Sequence, residues 1–367
     1  MTIASELRGL LGHDIGGWTV EPLVHNRSNA VTASIERVRV GDWSAVLKVL
    51  APPRMSDLPA EWAASDEPSH WNYWRREADI YEHSVPAAYA GSGIRAPALL
   101  ACHARTNGDL ALWLEDVVGT PGSAWPAARY AAAASALGRA QGRLALDRSV
   151  PVEPWLSRDF LRAYGGSKLS DWALLDDDDA WRQPLVRDHF PAGLREQMVG
   201  LHRDRERLIS IVDALPRTLC HLDVWPNNLI ATSDSESVLV DWSFVGDGAL
   251  GEDAGSLVPE AVFDGFLAAE HLPELDELIY RGYVAGFRDA GWDGDERLVR
   301  LAMCASAIKY DWLVPRLLER AGTAEHFDYG GTELVSAELR YAERGATFAF
   351  LAGWADEARA LALELGR

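Results

Sequence analysis

One stretch constrains this chain more than any other: "LCHLDVWPNNLI", residues 219–230. Its frame is apolar, yet it carries His221, Asp223, Asn227 and Asn228. Polar groups in such surroundings are costly unless something pairs with them. Asp223 and Asn228 stand in a D-x-x-x-x-N spacing. The following "NNLIATSDSESVLVDW" reads as two short strands around a polar turn, which return the chain from Asn228 to Asp241. One carboxylate and one carboxamide oxygen then face a shared point. That donor set suits Mg²⁺, which takes few protein carboxylates and completes its shell with phosphate oxygens and water. Asp223, on the loop before the first strand, is left to accept a hydroxyl proton.

The surrounding pattern predicts an α+β chain of two lobes. "WTVEPLV", "AVTASIERVRV" and "WSAVLKVL" read as strands, and "APALLACHA" and "DLALWLEDV" as two more, joined at Asn107-Gly108, a strong hairpin signal. A polar, proline-containing insertion at 51–70 precedes "WNYWRREADIYEHSV", where Trp71, Trp74, Ala78 and Tyr81 share a helical face. Beyond Gly119 the composition turns helical, with an alanine-rich segment, a second long amphipathic one at 193–215, and helices from Asp264 onward broken at "DAGWDGDE" and "AGTAEHFDYGGTE". The acidic run Asp176–Asp179 reads as a solvated loop. The expected division is a β-rich N-terminal lobe at 1–114, a hinge at 115–119 and a mostly helical lobe at 120–367.

Bulk properties exclude several classes. A formal net charge of −20 argues against a nucleic-acid partner and is compatible with a cationic small substrate. No apolar run reaches the ~18 residues of a membrane helix, and no secretory leader pattern opens the chain, so a cytoplasmic protein is expected. The cysteines Cys102, Cys220 and Cys304 are far apart and in apolar company, as reduced core residues are. Fifteen tryptophans exceed the needs of an ordinary site, and core packing accounts for most of them.

"HLDVWPNN" and "VLVDWSFVGDGALGEDAGSL" resemble the catalytic loop and metal-binding segment of the aminoglycoside phosphotransferase and choline kinase-like family, whose fold is that of the protein kinases. The resemblance implies that Asp223 is the catalytic base and that Asn228 and Asp241 hold Mg²⁺. It further implies that His221 braces the loop and that Asp253 supports it from the next helix. A β-strand lysine should reach the α- and β-phosphates of ATP or GTP, and Lys48 is the only lysine before residue 168. Its partner would be a helix glutamate, Glu77 or Glu82, with the family's Glu-Ala pattern favouring Glu77. The Glu115 carbonyl and Val117 amide are the expected adenine contacts. Ser28 and Asn29 fall where a phosphate-covering loop belongs, although "VHNRSNAVTAS" contains no glycine.

The implied reaction is transfer of the ATP γ-phosphoryl group to a hydroxyl of an aminoglycoside-like antibiotic, a sugar or amino sugar, or an amino alcohol. Trp225, in the catalytic loop, and Asp311 and Trp312, with Lys309 in "KYDWLVP", are the candidate lining of a pocket for a cationic or sugar-like acceptor. A protein kinase is a poor match, because Leu222 stands where those enzymes place arginine and Trp-Ser follows Asp241. The alternative from another class is a nucleotide-binding regulator without catalysis. The sequence leaves the oligomeric state open.

Overall fold

The computed structural model describes residues 2–55, 58–147, 152–323 and 336–367. The expected break at "AGTAEHFDYGGTE" lies largely outside them. Helix α1 (Ile3–Leu11) leads into strands β1 (Thr19–Pro22), β2 (Thr32–Val40) and β3 (Trp43–Leu50), followed by helix α2 (Arg76–Glu82). Strands β4 (Ile94–Arg95), β5 (Leu99–Ala104) and β6 (Leu110–Glu115) come next. An antiparallel five-stranded sheet of order β1-β2-β3-β6-β5 results. Strand periodicity gives it two apolar faces. Ala45, Leu47 and Val49 of β3 join Ala111 and Trp113 of β6 beneath Leu7 of α1, while Leu50, Leu110, Leu112 and Leu114 face Ala78 of α2. Lys48 alternates onto the second face, opposite Leu112 in register, and therefore toward α2.

After β7 (Thr120–Pro121) the chain is mostly helical: α3 (Ala127–Asp147), α4 (Phe160–Ser167), α5 (Asp178–Arg182), α6 (Pro184–His189), α7 (Leu194–Arg203) and α8 (Arg205–Asp213). A β island follows, comprising β8 (Arg217–Cys220), β9 (Leu229–Ala231), β10 (Ser237–Leu239) and β11 (Gly246–Ala249). Helices α9 (Glu252–Phe263), α10 (Leu272–Asp289), α11 (Glu296–Ala305), α12 (Leu313–Arg320) and α13 (Ala337–Glu364) complete the order. The α+β, β-then-helical architecture is the one expected. Among the described residues no helix is long and apolar enough to cross a membrane, and the three cysteines are free.

Four local expectations are corrected. Helix α2 starts at Arg76, not near Trp71. The Arg76 guanidinium takes the carbonyls of Trp71, His70 and Pro68 as acceptors. Those carbonyls would otherwise receive the i+4 amides of an earlier helix start, and Trp71 and Trp74 consequently lie on a compact turn. The amphipathic segment at 193–215 is two helices, interrupted at Asp204. The run Asp176–Asp179 is exposed, but its Asp177 carboxylate caps α5 by accepting from the Asp179 amide. Helix α1 was not expected at all, although Thr2 and Ser5 form a reciprocal cap at its start and Gly12 closes it in the left-handed region.

Helices α3 and α10 meet through small residues. A Cβ on Gly138 would lie 2.2 Å from the Tyr283 carbonyl oxygen, and one on Gly286 would lie 2.1 Å from that of Ser135. Gly138→Ala is therefore expected to cost about 1–3 kcal/mol by forcing the helices apart. Gly9→Ala in α1, with nothing within 4 Å of the new methyl, should be neutral or stabilising by up to about 1 kcal/mol. Urea denaturation of both variants checks the contrast.

Candidate active site

The loop from β8 to β9 carries the sequence singled out at the start. Its backbone is held by one carboxylate: Asp253, in the first turn of α9, accepts from the His221 amide at 2.8 Å and the Leu222 amide at 2.7 Å. Gln141 of α3 donates to the same carboxylate at 2.6 Å, and its own Oε1 accepts from the Tyr283 hydroxyl. Asp253 is fully buried. Leu222 sits at φ 67°, a left-handed conformation that a branched side chain adopts at a cost of roughly 1–3 kcal/mol. The two amide bonds to Asp253 hold it there.

His221 is buried, and its Nε2 donates to the Val240 carbonyl at 3.1 Å, tying the loop to the strand end that precedes Asp241. Burial pushes its pKa down to about 4, so the ring is neutral. It meets the Trp242 indole edge-on at 4.9 Å. These contacts are those of a brace.

The hairpin returns as the spacing predicted. Leu239 pairs with Leu229, and the Val240 amide donates to the Asn228 carbonyl at 2.9 Å. Asn228 donates from Nδ2 to both the carbonyl and the carboxylate of Asp223, each at 2.9 Å. Its amide is thereby oriented, and Oδ1 enters no hydrogen bond among the described residues. Asp241 sits at φ 59°, and its Oδ1 accepts from Lys48 Nζ at 2.8 Å and from the Ser243 hydroxyl at 2.6 Å. Lys48 also pairs with Glu77 at 2.5 Å. The structure thus brings Lys48, Glu77, Asp223, Asn228 and Asp241 together, and chooses Glu77 over Glu82, which pairs with Arg75.

The charges separate these groups by role. Burial raises the Asp241 pKa, but the Lys48 charge and the bonds from Lys48 and Ser243 outweigh it and hold the carboxyl at about 2. Lys48 is buried, yet the two carboxylates keep its pKa raised. At Glu77 burial wins over Lys48, and the nearby Asp241 charge adds to the upward shift. Asp223 is shifted upward as well. Burial raises it, Lys309 opposes, and the Asp241 and Glu260 carboxylates bring it to about 7, the range of a working general base. Among the described residues no three His, Cys, Asp or Glu side chains cluster to hold a metal alone. The ionised Asp241 and the free Asn228 Oδ1 are two hard oxygen donors, which fits Mg²⁺ completed by phosphate.

The remaining expected residues are more scattered. Glu115 ends β6 with its carboxylate on Arg95 at 2.7 Å, and Val117 follows outside any helix or strand. Asn29 Oδ1 accepts from the Val31 amide and from Asn72 Nδ2, both at 3.1 Å, so this side chain builds the turn. The neighbouring Ser28 amide donates to Asn26 Oδ1. Trp225 is half-buried against Phe266. Asp311 is buried in an ion pair with Arg205 at 2.5 Å, and Trp312 is buried beside Tyr164. Two contributors escaped the sequence reading. Ser243 links Asp241 to Glu77, and Arg76 donates to the Ser243 carbonyl at 3.0 Å. Their signal was position alone, beside Asp241-Trp242 and Glu77.

The model of the phosphotransferase enzyme family matches residues 36–298, a span holding Lys48, Glu77, Asp223, Asn228, Asp241 and Asp253. The chain belongs to that family. The expected enzyme class, an ATP-dependent phosphotransferase, holds for this family member. Among solved structures, an amicoumacin kinase in complex with AMP-PNP, Ca²⁺ and its antibiotic aligns with a TM-score of 0.52 at 13% identity, over 93% of this chain and 88% of that one. An aminoglycoside-3′-phosphotransferase of type VIII aligns at 0.48 with 18% identity, over 84% and 98%. A macrolide 2′-phosphotransferase from Brachybacterium faecium aligns at 0.41 with 16% identity, over 88% and 98%. No curated protein sequence matches the chain. In this phosphotransferase, Asp253→Ala would leave two loop amides and Gln141 without their acceptor, at about 1–3 kcal/mol for each unpaired group. Asp223→Ala removes only one acceptor of Asn228 Nδ2, which keeps the residue 223 carbonyl, and should cost about 1 kcal/mol. Thermal or urea unfolding of the two variants checks this; equal losses would contradict the division into support and chemistry.

Proposed function

We propose that the chain transfers the γ-phosphoryl group of ATP, with GTP as the alternative donor, to a hydroxyl of an aminoglycoside-like antibiotic, a sugar or amino sugar, or an amino alcohol. The convergence of Asp223, Asn228 and Asp241 under Lys48 carries this reading. The division into 1–114, a hinge at 115–119 and 120–367 belongs to it, with the Glu115 carbonyl and Val117 amide toward adenine. Lys48 leaves Asp241 for the phosphates, while Glu77 and Ser243 keep their places beside it. Asn228 and Asp241 would hold Mg²⁺, which would supply charge neutralisation for the transferring group. Asp223 orients the acceptor hydroxyl and takes its proton as the new oxygen–phosphorus bond forms and the bond to ADP breaks. The intact set of groups favours this over the inactive regulator. The acidic balance of the chain and the amicoumacin kinase of similar fold support a hydroxylated cationic acceptor.

Incubation with Mg-ATP and a panel of hydroxylated antibiotics, sugars and amino alcohols should yield one class that gains a single phosphate by mass spectrometry. Asp223→Ala is expected to lower turnover by ~10²–10⁴ with nucleotide affinity kept, the usual worth of a general base. Unchanged turnover would remove Asp223 from the reaction. Lys48→Met should instead weaken nucleotide binding, read by titration with AMP-PNP; an unaltered affinity would contradict the phosphate role.

A further inference from the structure

The sequence contains only three lysines, Lys48, Lys168 and Lys309; its other thirty-two cationic side chains are arginines. All three are buried. Lys48 has its two carboxylates, and Lys309 reaches Ser256 Oγ at 3.2 Å and Glu260 at 3.6 Å. Lys168 has neither. It is 4% exposed, and its Nζ has no hydrogen-bond partner among the described residues. Four ring faces surround it instead: Trp62 at 3.4 Å, Tyr164 at 3.9 Å, Trp71 at 4.9 Å and Trp312 at 5.4 Å from their centroids.

Such a cage attracts positive charge without supplying acceptors. A primary ammonium is a poor occupant, because its three N–H donors go unmet. Burial accordingly draws the Lys168 pKa down to about 7, with Glu61 opposing and Arg316 and Lys309 adding to the fall. A tertiary or quaternary ammonium leaves one donor or none unmet and fits the same rings better. The site also lies against open space. A cavity of about 310 Å³ is lined by Glu61, Ser65, His70, Trp71, Ser167 and Leu169, so it borders the cage wall and both chain neighbours of Lys168. Lys168 follows the last turn of α4 in a non-helical stretch, and Leu169 beside it is 68% exposed. The cage backs onto the catalytic loop: Trp71 packs on Phe244 at 5.7 Å, and both belong to one cluster with Leu222, next to Asp223.

We infer that the cage of Trp62, Trp71, Tyr164 and Trp312 is a recognition subsite for a tertiary or quaternary ammonium group of the acceptor, with Lys168 as an internal occupant that the acceptor displaces. That the ligand is the acceptor rests on the proposed phosphoryl transfer; the cage itself is tested without turnover. Tetramethylammonium chloride is titrated against sodium chloride of equal ionic strength while tryptophan fluorescence is followed. Lys168→Ala, and Lys168→Ser as a second route to a folded variant, should give a saturable change with an affinity at least tenfold tighter than that of the unaltered protein. Adding Trp62→Ala should abolish it. A folded variant with no saturable response, or one that keeps it without Trp62, overturns the inference. If neither variant folds by circular dichroism, the unaltered protein decides: a weak but saturable response supports the cage, and a flat one overturns it. A positive titration beside a chemically silent acceptor panel would leave the cage standing and the phosphoryl-transfer reading in error.

Discussion

Asp253 is the residue on which the site depends. A loop that must aim Asp223 outward, turn at Leu222 in a left-handed conformation and return through Asn228 has few backbone bonds of its own. The carboxylate of Asp253 supplies two of them and connects the loop to α3 through Gln141. Because α3 is packed against α10 through glycine and alanine, that connection ends in a rigid element. The orientation of the loop at 219–230 is thus inherited from helix packing in the C-terminal region.

The second organising feature is the chain between β3 and α2. Asn72 donates to Asn29, Trp62 and Ala63, and the Ala30 amide donates to the Trp62 carbonyl. Glu61 in turn pairs with Arg316 of α12 and accepts from the Leu169 amide at 3.0 Å. One irregular segment therefore bonds to the turn before β2 on one side and to the helical region on the other. The Arg76 guanidinium carries this tie onward to Ser243, beside Asp241. Among the described residues it forms no ion pair and has five carbonyl acceptors, and burial lowers its pKa to about 9.

What the sequence made legible follows from how local each signal was. The hairpin count returned Asp241 to Asn228 because it rests on fixed strand geometry, and Lys48 stood out as the only lysine before residue 168. The choice of Glu77 over Glu82 rested on the Glu-Ala pattern of the family it resembles, and Lys48 does pair with Glu77. The start of α2 was not legible, since a long-range guanidinium captured the carbonyls that a helix would have used. Asp311 looked like a pocket carboxylate because its partner Arg205 lies far away in sequence, at the break after Asp204. The Lys168 cage was hidden for the same reason: its rings come from three separate stretches, and no spacing rule joins them.

The placement of lysine has a practical side. With arginine carrying the remaining side-chain cations, amine-directed chemistry meets side-chain targets only at Lys48, Lys168 and Lys309. The first lies under the candidate nucleotide site, the second inside the aromatic cage, and the third near Asp223. Each label acquired would mark the opening of one named place, so this molecule carries its own set of footprinting sensors.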